Sequence, residues 1–138
     1  MYNNYDPGID EVYRYQSELC NSDKIKVPQY CIAIDAGCFE GFEAESIELH
    51  NMVTNIGNSA FKNCRNLKSI IIPNGVKVIP AHCFAGNSSI EEVTLPPSVV
   101  YVSPTAFNNC ENLKSIRVCS DALVFPKSEW YNVVEFYE

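Results

Sequence analysis

The sequence predicts an α/β solenoid: a right-handed coil of mostly short parallel strands, with a few short helices at its caps. Three observations predict it. Stretches beginning at Ile56, Ile79 and Val102 superimpose at a constant spacing of 23 residues. Within them apolar residues recur at fixed offsets, as in Leu67-x-x-Ile70-x-Ile72 and Ile90-x-x-Val93-x-Leu95. A proline then ends the apolar run, at Pro73 and again at Pro96. It suits a strand exit because it has no N–H for the ladder. One such unit cannot bury its apolar face alone, so neighbouring units must stack and share a core.

In chain order, residues 1–24 read as an N-terminal cap. Ile9, Val12, Tyr13 and Leu19 recur near helical spacing after Asp6-Pro7-Gly8, which predicts an amphipathic helix over 9–20. A half-copy of the repeat follows, with Ile25, Val27 and Pro28 matching Ile70, Ile72 and Pro73. A copy one residue shorter starts at Ile34 and carries Phe39, Ala44, Ile47, Leu49 and Val53. With the three copies above, this gives four clear repeats and a degenerate first one over residues 25–124. Strands are expected near 46–49, 69–72, 92–95 and 115–118. Val76, Ile79, Val99 and Val102 should face inward from the opposite wall, and Phe39, Phe61, Phe84 and Phe107 should stack along the axis. Residues 125–138 form the C-terminal cap. Trp130, Val133, Val134 and Tyr137 have helical spacing behind Ser128 as N-cap. The same segment is rich in β-formers, so an edge strand is the alternative. The whole chain, 1–138, reads as one domain.

The L-x-x-I-x-L core at this period is a leucine-rich-repeat signature. The fuller wording, Ile56-Gly57-x-Ser59-Ala60-Phe61-x-Asn63-Cys64-x-Asn66-Leu67-x-Ser69-Ile70-x-Ile72-Pro73, resembles the BspA-like leucine-rich repeats of bacterial surface proteins and some protist proteins. The resemblance covers most of the chain. Cys38 and Cys83 depart from it by replacing the Ala before Phe, and Asn87 stands where Cys64 and Cys110 stand. What the resemblance implies is a binding protein, with no particular ligand.

Composition narrows the partner. The chain carries only 10 Lys and Arg and a net charge of −7, which opposes binding to nucleic acid or to an anionic membrane surface. No apolar run approaches a membrane span, and Met1-Tyr2-Asn3-Asn4 does not begin a secretory signal. The compartment is left open: the cytoplasm is favoured, and the cell surface or secretion is expected if the chain is part of a longer product. The oligomeric state is open as well.

Four of the seven cysteines are explained by the repeat, and Cys20, Cys31 and Cys119 are less constrained. Cys64 and Cys110 share one repeat position, and Cys38 and Cys83 share another, each pair two coils apart. At about 4.8 Å per coil such pairs lie too far apart for a disulfide, so these four are expected to be reduced core residues. A bridge between Cys20 and Cys31 is conceivable at the N-terminal cap. No C-x-x-C pair supports a zinc site. His50 and His82 read as surface residues, and Asn87-Ser88-Ser89 fits a glycosylation acceptor. No nucleophile elbow, phosphate loop or paired carboxylate is legible, so neither an enzyme nor a cofactor is expected.

The outward strand positions carry the information about binding. One position reads Glu45, Lys68, Glu91, Lys114 from coil to coil. The next reads Ser46, Ser69, Glu92, Ser115, and the one between the last two core residues reads Glu48, Ile71, Thr94, Arg117. Singly these are solvated surface residues. Together, Glu45, Glu48, Lys68, Ile71, Glu91, Glu92, Thr94, Lys114 and Arg117 are expected to form a mixed-charge face for a protein partner. The expected function is a non-catalytic protein-interaction module. The alternative is a surface or secreted adhesion module that binds host protein or glycan.

Overall fold

A computed structural model describes residues 23–119 and 130–137. The helix expected over 9–20, the Cys20 thiol and the Ser128 cap lie outside the described residues. Within them the chain winds through two rows of short strands. The first row holds β1 (Lys24–Lys26), β3 (Ser46–Glu48), β5 (Ser69–Ile70), β7 (Glu92–Thr94), β9 (Ser115–Cys119) and β10 (Val134–Tyr137). The second holds β2 (Ala33–Ile34), β4 (Asn55–Ile56), β6 (Val78–Ile79) and β8 (Tyr101–Val102). Every pairing between these strands is parallel and joins one coil to the next. The four expected strands sit where the apolar alternation puts them, with β3, β5 and β7 shorter than expected and β9 one residue longer.

The corners explain why the coil closes. At the exits of β1, β3, β5 and β7, an N–H bonds back to the carbonyl three residues earlier: Cys31 to Pro28, Val53 to His50, Val76 to Pro73 and Val99 to Pro96. The same turn recurs after the second row, from Cys38 to Asp35, Cys83 to Pro80 and Ala106 to Ser103. On the remaining side, backbone bonds step from coil to coil, from Phe39 N to Ala60 O, Phe61 N to Cys83 O and Phe84 N to Ala106 O. That side alternates with residues at positive φ, namely Ser59 and Asn63 in one coil and His82 and Gly86 in the next. A left-handed residue every four positions cannot sit inside an α-helix. This corrects the α/β expectation: among the described residues the one helical element is the 3-10 turn Tyr131–Val133, and the solenoid is built of strands and turns. At the C-terminus the edge strand prevails over the helix, because β10 extends the sheet by pairing with β9.

The core follows the repeat. Ile25, Ile47, Ile70, Val93 and Ile116 fill one inward position, and Val27, Leu49, Ile72, Leu95 and Val118 the next; all are buried. Ile34, Ile56, Ile79 and Val102 are buried from the opposite wall. Between the walls the four phenylalanines form a continuous stack. Phe39 and Phe61 have ring centroids 5.6 Å apart, Phe61 and Phe84 5.3 Å, and Phe84 and Phe107 5.4 Å, with interplanar angles of 9°, 6° and 9°. Phe42 closes one end edge-on and Trp130 the other.

Two of the cysteines take part in the coil-to-coil bonding. The Cys64 thiol donates to the Phe39 carbonyl at 3.1 Å, and the Cys110 thiol to the Phe84 carbonyl at 3.1 Å. Cys31, Cys64, Cys83 and Cys110 carry free thiols. Cys38 and Cys83 are buried as expected, whereas Cys110 is only half-buried. It lies at the C-terminal end of the stack, beside a cavity of about 280 Å³ that Leu113 and Trp130 also line. Cys31 is buried, and the Cys20 end of the bridge considered above lies outside the described residues.

Candidate partner-binding face

The period-2 alternation of a strand turns every second side chain outward, and the coil stack then aligns these side chains into rows. Parallel register sets Lys26 beside Glu48, Ile71 beside Thr94, Thr94 beside Arg117 and Arg117 beside Glu135. A second row sets Lys24 beside Ser46, Ser46 beside Ser69 and Glu92 beside Ser115. All nine residues expected on this face, Glu45, Glu48, Lys68, Ile71, Glu91, Glu92, Thr94, Lys114 and Arg117, are exposed.

Two of the rungs are ion pairs. Lys68 Nζ lies 3.6 Å from Glu45 Oε1, and Lys114 Nζ lies 3.3 Å from Glu91 Oε1. All four side chains are more than half exposed, so each pair contributes at most a few tenths of a kcal/mol, roughly. Their effect is to neutralise each other. Arg117 is engaged as well: its guanidinium carbon lies 5.4 Å from the centre of the Tyr137 ring, and the Tyr137 hydroxyl donates to the Leu95 carbonyl at 2.7 Å. Glu135 accepts a bond from the Ser115 hydroxyl at 3.0 Å. Glu135 and Tyr137 therefore extend the face by one strand. Repeat alignment misses them because the C-terminal segment does not carry the repeat wording.

Between β5 and β7 the first row is interrupted. The strands form two three-stranded sheets, β1-β3-β5 and β7-β9-β10, held together at this junction by the single bridge Ile71–Thr94. The interruption leaves a groove of about 560 Å³ lined by Lys68, Ser69, Ile71, Glu91, Glu92 and Thr94, with Pro96 at one end. Ile71 is 81% exposed on its edge. A second apolar area lies on the other wall, where Val78, Val100 and Tyr101 are between 39% and 44% exposed. It escapes a reading of the repeat because these positions vary from coil to coil.

Several residues singled out in the sequence have structural roles. His50 occupies the corner held by Pro28, Pro73 and Pro96 in three other coils. It is half-buried rather than a surface residue: Nδ1 accepts the Met52 N–H at 3.1 Å, and Nε2 therefore donates to the Pro28 carbonyl at 2.8 Å. His82 is exposed. Asn87 is fully buried, with its Oδ1 accepting the Cys64 N–H at 2.9 Å, so the glycosylation triplet is closed to modification in the folded chain. Burial pushes the thiols of Cys31 and Cys64 up to about 12 and that of Cys110 to about 11, and raises that of Cys83 well above its ordinary value. These groups stay protonated at neutral pH, which makes them poor nucleophiles and poor metal ligands. Among the described residues no three His, Cys, Asp or Glu side chains converge as a metal site would need, and no helix is long and apolar enough to cross a membrane.

Coils of 22 or 23 residues, a parallel strand row and an axial aromatic stack define a leucine-rich-repeat solenoid. The chain belongs to the BspA type leucine rich repeat family, whose profile matches residues 10–135 as six copies. Solved structures share the fold. A leucine rich cell surface protein from Faecalibacterium prausnitzii A2-165 superimposes with a TM-score of 0.78 at 25% identity, over 84% of this chain and 32% of that one. The pneumococcal vaccine antigen PcpA gives 0.56 at 20% identity, over 83% of this chain and 36% of that one. A leucine-rich repeat protein from Bacteroides ovatus ATCC 8483 gives 0.50 at 21% identity, over 83% and 45%. The chain thus spans less than half the length of these proteins. A search of curated proteins found no significant match.

Proposed function

We propose that this chain is a non-catalytic protein-interaction module whose contact set is Glu45, Glu48, Lys68, Ile71, Glu91, Glu92, Thr94, Lys114 and Arg117. The observation that carries the reading is Ile71, 81% exposed between the Glu48 and Thr94 rungs on a face otherwise polar or charged. A lone exposed Ile is ordinary. One at the centre of a rigid, polar-rimmed face has the anatomy of a contact anchor. The reading treats 1–138 as a single domain that needs no cofactor. It takes the coil as right-handed, the sense adopted by nearly all parallel crossover connections.

A second reading has its own support. The Faecalibacterium protein, at 25% identity, is described as a cell surface protein. An adhesion module that binds host protein or glycan is consistent with that likeness, and the cell surface then replaces the cytoplasm as the expected location. Ile71→Asp combined with Lys68→Glu tests the face under either reading. Both side chains are exposed, so the melting temperature and circular dichroism should hold while binding to a partner falls at least tenfold. Undiminished affinity would move the site elsewhere, with the wall around Val78, Val100 and Tyr101 as the next candidate.

A further inference from the structure

We infer that the groove between β5 and β7 takes an extended protein segment that places an apolar side chain against Ile71 and a lysine or arginine two residues away against Glu92. The inference rests on the strand-face reading and narrows it to one class of partner. Its first ground is shape. This is the place in the first row where the ladder shrinks to a single bridge, Ile71–Thr94, and a groove of about 560 Å³ runs between the two strands. The groove follows the strand direction, so it suits a segment lying extended and parallel or antiparallel to β5 and β7.

The second ground is charge. Glu91 and Glu92 both line the groove. Glu91 is neutralised by Lys114 at 3.3 Å, and Lys68, the cation on the opposite lip, is held by Glu45 at 3.6 Å. Glu92 has only serines beside it: Ser115 on one side, and Ser69 on the other by the register that the Ile71–Thr94 bridge sets. Among the described residues no cation lies within ion-pair distance of Glu92, and it is exposed. The groove therefore carries one uncompensated negative charge.

The third ground is spacing. Glu92 precedes Thr94 by two residues on the same face, so its row stands about 6.6 Å from the row of Ile71. Alternate side chains of an extended segment repeat at that same distance. Apolar and basic groups separated by one residue then meet Ile71 and Glu92 together. An acidic residue at that point would meet Glu92 with like charge.

The experiment is a selection of random peptides displayed on phage against the immobilised full chain. It is run in parallel against Glu92→Lys and against an Ile71→Lys, Thr94→Lys double variant, which removes the apolar contact and adds no negative charge to the groove. The parent should enrich peptides with an apolar residue and a Lys or Arg two positions away, binding at least fivefold more weakly in 0.5 M salt than in 0.05 M. Glu92→Lys should turn the enriched charge from basic to acidic while the apolar preference stays. A pool with no basic preference, a preference unmoved by Glu92→Lys, or no enrichment at all overturns the inference. Enriched peptides that bind the double variant as tightly as the parent overturn the strand-face reading itself.

Discussion

Phe84 is an interior member of the stack. Its ring is fully buried and covered on both faces, by Phe61 at 5.3 Å and Phe107 at 5.4 Å. Truncating a buried Phe to Ala costs about 3–5 kcal/mol, and each stacked pair adds about 0.5–1.5 kcal/mol beyond area. Losing two pairs at once places Phe84→Ala at the upper end, about 4–5 kcal/mol. Domains of this size hold only about 5–15 kcal/mol in all, so the variant should be close to unfolding. With a urea dependence of about 2 kcal/mol per molar, the midpoint should fall by about 2 M. Urea titration followed by circular dichroism measures it, and Phe84→Leu, which keeps most of the volume, should lose well under half as much. A double-mutant cycle sharpens the test. Phe61 and Phe84 should couple by about 1 kcal/mol, whereas Phe39 and Phe107, three coils apart, should add within about 0.5 kcal/mol. A loss below about 1.5 kcal/mol for Phe84→Ala, or equal coupling for both pairs, would refute the idea that the rings form one nearest-neighbour stack.

Other expectations follow from the same contacts. The thiols of Cys31 and Cys64 titrate at about 12 in the folded chain against an ordinary 9.0. Unfolded thiols therefore release protons that the native state keeps, so the thiol contribution to stability should be constant below pH 9 and be lost as pH rises from 9 toward 12; a rise in stability over that range would contradict the burial. His82 sits at φ 56°, where the shorter repeat two coils earlier has Gly37 at 66°, so His82→Gly should raise stability by about 0.5–1 kcal/mol in thermal melts. Asn87→Ala removes the acceptor of the Cys64 N–H and should cost about 1–3 kcal/mol, although the Asn87 Nδ2 it also removes has no partner. Lys114→Ala should change stability by less than about 0.5 kcal/mol, since its ion pair is exposed.

What was legible in the sequence was whatever recurs. The inward alternation of Ile70 and Ile72 is copied in every coil because all coils fill one core, and that fixed the strand positions, the aromatic stack and the outward rows together. Features that depend on a single coil were not legible. Phe42 packs edge-on against Phe39, and no other repeat has an aromatic there. His50 looks like a surface residue until its ring is seen bonding the carbonyl of the coil before it. The turns on the third side of the coil form because residues such as Ser59 and Asn63 adopt positive φ, a choice glycine announces in a sequence and serine does not. The groove depends on the β5–β7 ladder being weaker than its neighbours. The repeat wording is nearly constant across that junction, and the outward rows carry no record of ladder strength.

The claim that the strand face is where this module meets its partner is tested most directly by photo-crosslinking in the cells that make it. A benzophenone amino acid is placed at position 71 or 94 on the face, and at position 78 or 100 on the opposite wall. Adducts of one defined mass from 71 and 94, with none from 78 and 100, are the predicted result. Adducts from the opposite wall, with none from 71 or 94, would contradict it.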